Sequence, residues 1–123
     1  KHELKYFELR NLLLTGDRQR GSLRLMKWRI RDDSLLKLWA DPGCDGGFPP
    51  AVVKAFRKHI QRIDGATDTR DFGGRFERLK HDRSHQSSMR LDRRWRLILE
   101  FEGRGAEQTA VIVGIEDYHR RER

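Results

Sequence analysis

Two early segments with helical spacing, followed by several consecutive runs of strand character joined by turn signals, predict an α+β fold. In that fold two N-terminal helices pack on one face of a small, mostly antiparallel β-sheet. Strands that follow one another through short turns pair as hairpins, and such a sheet buries one face and leaves the other for solvent or a ligand. A chain of 123 residues has material for a single core of this kind.

The segment "KHELKYFELRNLLL" has the spacing of a short helix through Leu4, Phe7 and Leu12–Leu14, and the polar stop "TGDRQRGS" ends it. Residues 1–22 therefore read as an N-terminal extension, its role open, ahead of a domain over 23–123. "LRLMKWRI" alternates apolar and basic residues, as a half-buried strand does. Asp32 or Asp33 is placed to cap a helix carrying Leu35, Leu36, Leu38 and Trp39, which the loop "DPGCDGGFPP" terminates. "FPPAVVKAFRKHIQRIDGA" predicts a second helix: proline in its first turn, Val52, Val53, Phe56, Ile60 and Ile63 on one face, and Gly65 at its stop. Lys54, Arg57, Lys58, Gln61 and Arg62 are expected on its outer side. The strands follow as "RFERLK", "SSMRL", "RWRLILEF" and "TAVIVGI", with "EGRGAE" turning between the last two.

The 27 basic against 19 acidic side chains give a net charge of +8 and a pI near 10.2, a field that attracts polyanions, nucleic acid first among them. Cys44 stands alone and has no histidine near it in sequence, so neither an internal disulfide nor a thiol nucleophile is expected. No run of about 18 apolar residues is present, and the reading is of a soluble, intracellular protein with no membrane contact.

Strand alternation makes the basic pattern chemically interpretable. Arg90, Asp92, Arg94 and Arg96 share a face if their strand is unbroken, although a turn at Asp92–Arg94 resets that register. Lys80, His81, Arg83 and His85 leave one strand toward the same region, and Asp117, Tyr118 and His119 leave the last. Cleavage of an RNA phosphodiester needs a base for the 2′-hydroxyl, cations for the phosphorane and an acid for the departing 5′-oxygen. Imidazole, guanidinium and ammonium groups supply these parts, and a tyrosine can stack on an unpaired base. Plainer readings stand beside this one. Tyr118 and its neighbours can simply close the sheet, His81 and His85 can be loop residues, and Arg96 can pair with Glu77 or Asp117. Asp117 with His119, or His81 with Asp82 and His85, can hold a divalent metal.

Taken in order, "FPPAVVKAFRKHIQRIDGAT", "RFERLKHDR", "SSMRLDRRWRLILEF" and "IEDYH" resemble the HigB branch of the RelE/ParE toxin superfamily, from about Met26 to His119. The resemblance implies a RelE-like fold and a bacterial, cytoplasmic toxin of a type II toxin-antitoxin system. Its activity would be that of a ribosome-dependent mRNA endonuclease, or mRNA interferase, that cuts message in the ribosomal A site without metal or cofactor. The partner it implies is a HigA-like helix-turn-helix antitoxin. The functional positions of the family fall on Lys80, Arg96, Asp117, Tyr118 and His119, with Arg83, Arg90, Arg93 and Arg94 expected on the RNA. Two positions depart from the pattern. His81 replaces a glycine, and Glu77 stands where some relatives have a histidine, as a base or as an orienting group. A ParE-like toxin that binds a protein such as gyrase without cutting RNA is the alternative.

Overall fold

The computed structural model describes residues 18–20, 23–73 and 75–117. Its elements in chain order are β1 Arg18–Arg20, β2 Leu23–Leu25, β3 Lys27–Ile30, α1 Asp33–Ala40, α2 Pro50–Asp64, β4 Phe76–Arg78, β5 Gln86–Arg90, β6 Trp95–Glu102 and β7 Thr109–Asp117. The expected helix through Leu4, Phe7 and Leu12–Leu14 lies outside the described residues, as do Tyr118 and His119.

Asp32 is the cap of α1: its carboxylate accepts from the Ser34 and Leu35 amides at 2.8 and 3.1 Å, satisfying donors that the first turn leaves open. Hydrogen bonds from the Ser34 side chain and these amides hold the Asp32 carboxyl below its ordinary range. Pro49 and Pro50 start α2, and the Gly65 N–H closes it on the Gln61 carbonyl. Val52, Val53, Phe56, Ile60 and Ile63 are buried as their spacing predicts. Arg57, one of the residues expected on the outer side of α2, reaches the chain that follows α1. Its guanidinium donates to the carbonyls of Leu38, Asp41, Pro42 and Cys44 at 3.1, 3.1, 3.4 and 2.9 Å. The end of α1 leaves such carbonyls unsatisfied and negatively polarised, and a cation from α2 fills them.

The main sheet runs β3-β7-β6-β5-β4; β3 is parallel to β7 and every other pair is antiparallel. The α+β arrangement is the one the sequence predicts. Cross-strand partners assign the two faces. Trp28 with Ala110 and Phe101, Ile30 with Ile112, Leu99 and Ser87, and Ile115 with Leu97, Met89 and Phe76 form rows toward the helices. Trp28 is sealed in this core and donates its indole N–H to Asp64 at 2.9 Å, which ties β3 to the end of α2. The opposite face carries Arg29, Val111, Glu100 and Gln86 in one row, Gly114, Ile98, Ser88 and Glu77 in the next, and Glu116, Arg96 and Arg90 in a third.

The single strand expected over "LRLMKWRI" is two. The Met26 N–H donates to the Ala66 carbonyl at 2.8 Å, so the chain leaves one ladder there and enters another. β2 pairs with β1 in a separate two-stranded sheet, across the boundary expected at residue 22. The turn from β6 to β7 requires glycine at 103, where φ is +78° and a Cβ would lie 2.6 Å from the Glu107 carbonyl oxygen.

His81 is the only non-glycine with positive φ among the described residues, at +61°. It occupies the position where the resembled family carries glycine, and the left-handed backbone gives that glycine a physical reason. Replacing His81 with glycine is expected to raise stability by about 0.5–1 kcal/mol, the relief of backbone strain less the added freedom of the unfolded chain. Chemical denaturation with an unchanged m-value checks this.

Candidate nucleic-acid interface

The face away from the helices collects charge in a specific order. At one end Arg29 makes a bidentate pair with Glu102, both bonds 2.7 Å, and Arg31 pairs with Glu100 at 2.9 Å. The Arg29 hydrogen bond holds the Glu102 carboxyl below its ordinary range, and hydrogen bonds from Gln86 and Arg31 do the same for Glu100. Both therefore stay ionised through neutral pH. Arg83, from the 3₁₀ turn His81–Arg83, reaches Glu116 on β7 with two bonds of 2.8 Å and Gln86 on β5 at 2.8 Å. A guanidinium that touches side chains on β5 and β7 lies over β6 between them.

At the other end Arg90 and Arg96 stand directly opposite each other on β5 and β6. Arg90 Nε and Arg96 Nη1 both donate to the Asp92 carbonyl, at 3.2 and 3.1 Å. Two like charges in register repel. Glu116, the next residue in that row, takes the Arg83 guanidinium in two bonds. Glu77 lies on the same face, exposed, opposite Ser88, whose hydroxyl is enclosed and lacks a hydrogen-bond partner among the described residues.

Lys80 is exposed and precedes the turn at His81. It belongs to the end of the face where β5 starts, about 13 Å of strand from the Arg90–Arg96 end. Arg93 and Arg94 lie in the β5–β6 turn, which resets the register and takes Arg94 off the arginine strip. Arg94 instead packs 5.7 Å from the Trp95 ring centre and pairs with Asp117 at 2.8 Å. Asp117 is opposite Trp95 in the ladder, so it points to the helical side and away from Arg96. The structure thus brings Glu77, Arg83, Arg90 and Arg96 to one face and puts Asp117 on the other. Among the described residues no cluster of His, Cys, Asp and Glu is arranged to hold a metal, and no helix is long and apolar enough to cross a membrane.

Sequence reasoning passed over His59. Its position in α2, three residues after Phe56 and four before Ile63, carries the signal, because it shares their buried face. His59 Nε2–H donates to the Arg90 carbonyl at 2.7 Å, which leaves Nδ1 unprotonated, enclosed and without a partner among the described residues. Burial lowers the His59 pKa below its ordinary 6.5, opposed by the Arg90 carbonyl and reinforced by Lys58 and Arg62. The folded state thus holds the ring neutral, while the unfolded chain protonates below that value. Its contribution to stability is complete above about pH 6.5 and is lost as pH falls toward the lowered folded pKa. Thermal melts between pH 7.5 and 5.5 should show a smaller loss for His59→Gln, which keeps a donor to the carbonyl and cannot titrate.

No family model matches the chain, and no curated protein matches it. Among solved structures the chain is similar to a YoeB/ParE toxin from Agrobacterium tumefaciens, at 18% identity and a TM-score of 0.46, over 76% of this chain and 96% of that one.

Proposed function

We propose that the chain is a toxin of the RelE/ParE superfamily, of HigB type, and that it cleaves message RNA on the ribosome by 2′-hydroxyl attack. The observation that carries the reading is the Arg90–Arg96 pair on the face away from the helices. Two guanidiniums in register, both anchored on the Asp92 carbonyl, offer N–H donors side by side, the arrangement that suits the non-bridging oxygens of one phosphate. The ordered motifs of the resemblance support it, as does the positive φ at His81, where the family's glycine would fall.

In this mechanism Arg96, with Arg90 beside it, binds the non-bridging oxygens and stabilises the charge that grows on the phosphorane. Lys80 enters from the far end of the same face. Asp117 is committed to Arg94 on the opposite face, so proton transfer falls to Glu77 and His119, one accepting the 2′-hydroxyl proton and the other protonating the 5′-oxygen. Tyr118 positions a base by stacking. The products are a 2′,3′-cyclic phosphate and a 5′-hydroxyl. A cognate HigA-like antitoxin is the proposed cellular partner.

Single-turnover cleavage by Glu77→Gln and His119→Ala, each with intact ribosome binding, tests the roles. Each variant is expected to lose at least about a hundredfold in rate. Wild-type rates in both would remove these residues from the proton-transfer steps.

A further inference from the structure

A second concentration of positive charge lies apart from the arginines of that sheet face. α2 and the β5–β6 turn form the walls of a groove of about 560 Å³, lined by Lys58, His59 and Arg62 from the helix, Arg75 ahead of β4, and Arg90 and Arg93 from the hairpin. On the sheet face away from the helices Arg29, Arg31 and Arg83 each meet a carboxylate. In the groove Arg62 donates to the Phe72 carbonyl and Arg90 to the Asp92 carbonyl, at 3.3 and 3.2 Å, and among the described residues no ion pair neutralises any of the five cations. The one carboxylate in the lining, Asp92, accepts the Arg94 and Trp95 amides at 2.8 Å each and so caps the turn. His59, 9% exposed, bonds one wall to the other through the Arg90 carbonyl, so the groove is held open before any ligand arrives.

We propose that this groove binds the sugar-phosphate backbone of double-stranded RNA and docks the protein on structured RNA, independently of strand cleavage. Five unneutralised cations on two fixed walls suit a run of phosphates, whose counterions they would release. Among the described residues the lining has no aromatic ring for stacking an unpaired base apart from the buried His59, so contact is to backbone and carries no sequence preference. Ala55 and Leu91 are its only apolar residues among those described, too little to anchor an acidic peptide segment. Arg90 belongs both to the groove and to the pair with Arg96, so the positive band runs from the groove to Arg96.

Lys58 and Arg93 are exposed on opposite walls, and Lys37 and Arg104 are exposed elsewhere, so matched charge reversals are available that leave the core untouched. Fluorescence anisotropy with a blunt RNA duplex of about 20 base pairs, titrated across salt near about 100 mM KCl, compares Lys58→Glu/Arg93→Glu with Lys37→Glu/Arg104→Glu. The groove pair is expected to weaken binding at least about tenfold and to flatten the log–log salt dependence by about two. The control pair should stay within about twofold of the parent, and coincident thermal melts establish that both variants fold. Equal losses in the two pairs, or unchanged binding in the groove pair, would overturn the proposal. So would intact duplex binding with lost binding of polyglutamate, which would assign the groove to an acidic protein. The duplex offers no message to cut, and Arg96→Ala should still bind it, so a failed cleavage assay leaves this result standing.

Discussion

Arg96→Ala is expected to lower ribosome-dependent cleavage by about a hundred- to a thousandfold while leaving the fold intact. The size follows from removing a preorganised donor aimed at charge that develops in the transition state. Stability should fall by no more than about 1 kcal/mol, the ordinary net worth of the part-buried bonds from Arg96 to the Asp92 and Trp95 carbonyls. Arg90 keeps its own bond to the Asp92 carbonyl, so the turn retains one of its two guanidinium clamps. A purely structural Arg96 would show the reverse pattern: a depressed melting temperature with activity falling only in proportion to unfolded protein. Measuring single-turnover rate and melting temperature on the same preparation separates the two.

Arg57→Ala is expected to cost about 3 kcal/mol, the largest stability loss of any polar residue discussed, although a cation on a helix is ordinarily expendable. Four carbonyls at the end of α1 and in its following loop surround Nη2 of this guanidinium, whose two hydrogens they share, and Nε adds a bond to Leu38. Charge-assisted bonds contribute about 1.5–3 kcal/mol each in isolation, and because these share one donor they do not add. Arg57→Lys should recover only part of the loss, since an ammonium can take the place of Nη2 but not the Nε bond to Leu38. Urea denaturation of the three proteins measures it, and a loss below about 1 kcal/mol for alanine would reduce Arg57 to a surface residue.

Much of the fold is written in local patterns. Leu35, Leu36 and Leu38 behind Asp32, and Val52 through Ile63 between Pro50 and Gly65, specify two helices because caps and spacing agree. The strands from Phe76 to Asp117 are legible for the same reason. The break at Met26 is not, because it arises from a hydrogen bond to Ala66, forty residues along the chain. The site shows the same division. Arg90 and Arg96 are readable as neighbours once the turn between them is recognised, whereas the separation of Asp117 from them depends on a register shift near Ile98 and Leu99 in the ladder to β7. Arg57 and His59 were the least legible, since the partners of both are backbone carbonyls, which every residue has and no sequence pattern marks.

Cleavage on programmed ribosomes is the most direct measurement. The protein is incubated with message and ribosomes, with message alone, and with both in the presence of EDTA, and the cut ends are mapped by primer extension beside Arg96→Ala. The expected result is cleavage only with ribosomes, undiminished by EDTA and lost in the variant. Absence of cut ends from a folded protein that still arrests growth would contradict the nuclease reading and favour a toxin that acts by binding a protein.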